Sequence, residues 1–152
     1  MVEEKYDLNR NCKLEMAATV MITICSYHNR QVCGILQSLV LEEKIPFRGL
    51  DQMVLLIEEI LDREKICKSA FEYRYIEKTE QEDGWLENSI LQKHILNEWN
   101  TEFHQNILIR IYGRYHRSLQ GMVRVGKETV YFRSGMELIR MIHQWLQSSL
   151  KG

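Results

Sequence analysis

Residues 106–146 read NILIRIYGRYHRSLQGMVRVGKETVYFRSGMELIRMIHQWL. Ile107, Ile109 and Ile111 alternate with Leu108, Arg110 and Tyr112, the period of a strand with one face buried. A turn follows, then a second strand, a tight turn near Lys127 and a third strand ending in Phe132-Arg133. The period then changes: Leu138, Ile139, Ile142 and Leu146 recur at helical spacing. The stretch predicts strand, strand, strand and an amphipathic helix.

An earlier stretch, residues 19–61, reads TVMITICSYHNRQVCGILQSLVLEEKIPFRGLDQMVLLIEEIL and follows the same plan. Val20, Ile22 and Ile24 stand 87 positions before the three isoleucines, and Gly34 stands 87 before Gly121. Phe47-Arg48 precedes Phe132-Arg133 by 85, and Met53, Val54, Ile57 and Leu61 precede the later helix face by the same 85. Shared glycine, shared Phe-Arg and two period switches in one order indicate an internal duplication. Pro46, which has no amide donor, marks the first copy's third strand as an edge. Asp51 suits the start of the helix that follows.

The expected fold is α+β: two tandem β-β-β-α repeats with antiparallel sheets, related by pseudo-twofold symmetry, plus a central connecting helix. Residues 1–76 form the first unit with an N-terminal segment that packs as a short helix. Residues 77–85 form an acidic loop. Residues 86–152 hold the central helix, expected over 85–104, and the second unit. A three-stranded sheet covered by one helix leaves its other face bare, so the two units either merge their sheets or pack face to face.

At 152 residues with 45% hydrophobic and 27% charged content, the chain is long enough to bury about 70% of its unfolded surface. The net charge of −1 conceals an asymmetry. Residues 1–86 hold 11 basic against 16 acidic side chains, and residues 87–152 hold 9 against 5. Opposite signs favour docking of the halves on each other, or an anionic partner for the second half. No apolar run reaches the ~18–20 residues of a membrane span, and MVEEKYDLNRN has no apolar signal core. The expected location is cytoplasmic, with no membrane partner. Cys12, Cys25, Cys33 and Cys67 show no Cys-x-x-Cys or zinc spacing and read as buried thiols.

Catalytic signatures are missing. The five histidines are scattered, and no nucleophile elbow, P-loop, His-Glu-x-x-His or dinucleotide fingerprint occurs. No enzyme activity, catalytic residue, metal or cofactor is expected. Arginines supply the candidate site instead. Arg110, Tyr112 and Arg114 alternate away from the isoleucine face, His116 and Arg117 fall in the turn, and Arg124 and Arg133 lie on the next strands. On one sheet face they would grip phosphates bidentately, with tyrosines as stacking surfaces. Paired with the acidic first half, they would instead hold the fold. His28 and Arg30 occupy the matching turn of the first unit.

Arg114, Ser118-x-Gln120-Gly121 and Phe132-Arg133-Ser134-x-x-Glu137-Leu138-Ile139 resemble a family of short uncharacterised proteins of gut Clostridia. Ser26-Tyr27-His28-Asn29-Arg30-Gln31 and Gly49-Leu50-Asp51-Gln52 are similar to its two-repeat members. Here Leu119 replaces the family's Trp, and Tyr115-His116 replace Gln-Asn. The resemblance implies the duplicated unit and no activity. Residues 110–121 also resemble the arginine and serine-glycine elements of cyclic-di-GMP-binding PilZ barrels, but here the two elements abut. The element order from residue 85 onward is similar to that of double-stranded-RNA-binding domains. Their lysine cluster is replaced by Ser134-Gly135-Met136-Glu137.

The expected function is a non-enzymatic binding or regulatory module whose partner is another protein, such as an accessory or inhibitor protein of a larger nucleoprotein complex. The alternative is a nucleic-acid or nucleotide binder using the arginine-rich face of the second unit.

Overall fold

The computed structural model describes residues 18–65, 84–92, 94, 95, 99, 105–116 and 118–150. Strands β1 (Thr19–His28), β2 (Gln31–Ser38) and β3 (Ile45–Arg48) precede helix α1 (Leu50–Arg63). Helix α2 (Trp85–Leu91) follows, then β4 (Gln105–Gly113), β5 (Gln120–Val125), β6 (Glu128–Phe132) and helix α3 (Gly135–Leu150). The fold is α+β, with one six-stranded antiparallel sheet in the order β3-β2-β1-β4-β5-β6. The two groups of three strands therefore merge, through pairing of β1 with β4.

Alternation decides which face is buried. Val20, Ile22, Ile24, Leu36, Ile45, Phe47, Ile107, Ile109, Ile111, Val123 and Phe132 share a core with Met53, Leu56, Ile57, Ile60 and Leu61 of α1. Leu138, Ile142 and Leu146 of α3 complete it. Each such side chain contributes about 1.5–3 kcal/mol by leaving water. Ile22 and Ile107 face each other across the β1–β4 seam, both fully buried.

Local details recur between the two groups of strands. The β1–β2 ladder shifts register between Ile24 and Ser26, and the β4–β5 ladder between Ile111 and Gly113. An extra residue at such a bulge re-aims everything beyond it. Gly34 and Gly121 each lie opposite a phenylalanine, Phe47 and Phe132. A Cβ on Gly34 would meet the Thr23 carbonyl and come 2.7 Å from the Phe47 ring. On Gly121 it would meet the Arg110 carbonyl and come 2.9 Å from the Phe132 ring. Both helices start alike: the Arg48 amide donates to Gln52 Oε1 at 2.6 Å, and the Arg133 amide to Glu137 Oε1 at 3.1 Å. Ser134 Oγ caps α3 by accepting from the Glu137 amide.

One expected element is corrected. The α-helix from Trp85 ends at Leu91, where a helix over 85–104 is expected; residues 93, 96–98 and 100–104 of that span lie outside the described residues. Leu91 is 78% exposed, so the apolar stripe breaks there, and tighter turns bring Ile95 back to a buried position. Strand β2 starts at Gln31, because Asn29 and Arg30 make a two-residue turn with φ of 52° and 62°. That is the hairpin geometry whose twist matches the strands. Cys12 and Cys67, the N-terminal helix, the segment 66–83 and the bounds of the two expected units lie outside the described residues, wholly or in part.

Candidate functional site

Three of the arginine-face residues share the outer face of the sheet, away from α1 and α3. Across β4, β5 and β6, Arg110, Met122 and Tyr131 form one cross-strand row, and Leu108, Arg124 and Thr129 the next. Tyr112 sits at the β4 bulge, its ring centroid 6.3 Å from that of Tyr131. The two rings are 52% and 66% exposed. Arg124 is exposed and donates from Nε to Thr129 Oγ1 at 3.3 Å. Arg110 is half-buried and engaged in further contacts. Tyr131 was not singled out in the sequence, though its position two residues from Thr129 on the same strand carries the signal.

Arg114 leaves this set. The bulge at Tyr112 reverses the alternation, and Arg114 turns to the helix side. Its guanidinium is 4% exposed and donates from Nη1 to Asp62 Oδ1 at 2.6 Å. This pair joins a basic side chain of the second half to an acidic one of the first, whereas Arg63 and Glu87 pair across the halves in the opposite sense. Arg133 is exposed and pairs with Glu137 at 3.1 Å. That hydrogen bond, with the nearby Arg140 adding, holds the Glu137 carboxyl below its ordinary pKa, and Glu137 holds Arg133 above its own. His28 is exposed at the end of β1, and His116 is exposed in the β4–β5 loop with φ 54°. Arg117 lies outside the described residues.

The loop between β4 and β5 is shaped by Gln120, which sequence reasoning missed. Its amide accepts from the Tyr115 amide at 2.6 Å and donates to the Tyr115, Ser118 and Arg133 carbonyls. One side chain thus replaces two rungs of ladder that β1 and β2 make between Tyr27 and Val32 and between His28 and Gln31. In those closed rungs Tyr27 reaches α3, its hydroxyl 3.3 Å from His143 Nδ1.

Beside that contact lies a cleft of about 420 Å³, open on one side. It is lined by Arg30 from the β1–β2 turn and by Met136, Ile139, Arg140, His143, Gln144 and Gln147 of α3. Cys25 and Cys33 are free thiols, and burial followed by the neighbouring Cys33 pushes the Cys25 thiol up. Among the described residues no group of three His, Cys, Asp or Glu is placed to hold a metal ion, and no helix is long and apolar enough to cross a membrane. No family model, curated protein or solved structure matches the chain.

Proposed function

We propose that the chain is a non-enzymatic, cytoplasmic binding or regulatory module, made by duplication of a β-β-β-α unit, that engages a partner protein through the outer sheet face of its second half. The duplication is supported by the two bulges, the two glycine–phenylalanine contacts and the two helix starts, which coincide at the 87- and 85-residue offsets. A pseudo-twofold axis between β1 and β4 accounts for the strand order. The same unit is what the resemblance to the gut clostridial family implies.

One observation carries the functional reading: the exposed Tyr112–Tyr131 pair with Arg124 on the next row of the same face. Tyrosine and arginine are the side chains that interfaces concentrate, because they offer large contact area with a polar end. Neighbouring β6 is an end strand without proline, open to addition of a partner strand. A second reading, nucleic-acid binding, is favoured by Arg124, whose Nε donates to a hydroxyl rather than a carboxylate. An accessory protein of a nucleoprotein complex would satisfy both.

The test is capture of partners from native cytosol with and without nuclease, using the parent chain and a Tyr112→Ala/Tyr131→Ala variant. A nuclease-resistant protein partner lost in the variant is expected. Capture that vanishes with nuclease and weakens steeply with salt would replace the protein reading by the nucleic-acid one. A partner retained by the variant would sink both.

A further inference from the structure

We propose that the cleft between the β1–β2 turn and α3 is a binding site for a phosphate monoester carried on an apolar group. Arg30 and Arg140 both line it, and among the described residues no carboxylate does. Among the described residues no ion pair engages either guanidinium; the nearby acid on α3, Glu137, is hydrogen-bonded to Arg133 and feels Arg140 only through its charge. His143, Gln144 and Gln147 add polar side chains, and Met136 and Ile139 add an apolar wall.

The backbone supports the placement. Arg30 is the second residue of the two-residue turn, at φ 62°, and its side chain lines the cleft together with α3. Tyr27 holds the His143 ring, its hydroxyl 3.3 Å from Nδ1, beside the cleft that His143 lines.

The corresponding junction of the other half sharpens the case. At the 85-residue offset His143, Gln144 and Gln147 stand where α1 has Glu58, Glu59 and Asp62. There the cation from the loop, Arg114, meets its carboxylate within the chain. Here those three positions carry no carboxylate, and Arg30 and Arg140 line the cleft. That contrast rests on the duplication proposed above; the binding test does not. Two guanidiniums match the charge of about −1.5 to −2 on a phosphate monoester and its bidentate oxygens.

The experiment titrates the full chain with phenyl phosphate, inorganic phosphate and benzamide, following backbone amide shifts by NMR. Phenyl phosphate is expected to bind more tightly than inorganic phosphate, with shifts at residues 30 and 136–147, and benzamide not to bind. Arg30→Gln/Arg140→Gln, both exposed and compatible with folding, is expected to weaken phenyl phosphate by about tenfold or more. Arg48→Gln, on the far edge strand, leaves it unchanged. Unchanged binding in the double variant, equal binding of benzamide, equal binding of the two phosphates, or no binding of phenyl phosphate would each overturn the proposal.

Discussion

The two places where a strand-pair loop reaches across to the other group's helix differ in what they do with charge. At one, the β4–β5 loop opens, Gln120 props it, and Arg114 is buried against Asp62 of α1. At the other, the β1–β2 hairpin stays paired to its tip, Tyr27 meets His143 of α3, and Arg30 is left beside an open cleft. Six residues separate Ser26 from Cys33 and six separate Gly113 from Gln120. Loop length therefore does not set the difference. Composition does: Gln120 in place of Cys33, and carboxylates on α1 in place of amides and imidazole on α3. One junction pairs its cation with a carboxylate of the other group's helix; at the other, Arg30 and Arg140 line the cleft with no ion pair among the described residues.

The likeness of the two groups of strands can be tested first at their glycines. Gly121→Ala is expected to lower stability by about 3 kcal/mol and Gly34→Ala by a similar amount, since each forces a carbonyl and a ring to move. Chemical denaturation checks this, and a large gap between the two values would mean that the halves pack differently. Next come the junction contacts. Asp62→Ala leaves a buried guanidinium short of its partner, costing about 2 kcal/mol, below the figure for a fully enclosed pair because Asp62 is 41% exposed. Tyr27→Phe removes one hydrogen bond and costs about 1 kcal/mol. If the order were reversed, the buried pair would not be the stronger lock.

A transplant tests the charge contrast directly. Gln147→Asp puts the α1 carboxylate into the α3 cleft. Its effect on stability is expected to be a few tenths of a kcal/mol, as for an exposed pair, while phenyl phosphate binding falls. Unaltered binding would detach the cleft from its arginines. The smallest effect concerns Glu137, whose partner position in the first half is the uncharged Gln52. Its folded pKa is depressed, so its contribution is present above its unfolded pKa and fades as pH falls through the folded one. Arg133→Gln is expected to move the Glu137 carboxyl titration to higher pH in an NMR titration; no movement would contradict the pairing.

Much of the fold was legible because period-two and helical spacing are strong signals when one face is buried. Val20, Ile22, Ile24 and the three matching isoleucines announced the strands, whereas the seating of Gly121 against the Phe132 ring came only with the structure. Fusion of the sheets was not legible: edge pairing of β1 with β4 uses backbone donors that every residue carries. Arg114 was misplaced because alternation was extended through Tyr112, and a one-residue bulge reverses alternation without leaving a composition mark. The cleft escaped notice for a related reason. Arg30 and Arg140 are 110 positions apart, and only the crossing of hairpin tip and helix brings them together. Leu91 shows the opposite error, an apolar residue on a helical stripe that ends in solvent.

The β1–β4 seam also bears on how the chain reaches its structure. Four of the five strand pairings join neighbours in sequence and close short loops, whereas Val20 meets Ile109 only after closing a loop on the order of 90 residues. Topology of this kind slows folding, because the long closure must be made before its contacts repay it. The expectation is that each three-stranded group assembles early and the seam zips last. Polar substitutions at Ile22 or Ile107 would then accelerate unfolding more than they slow refolding, a split that stopped-flow chevron slopes measure and that equal changes in both limbs would refute.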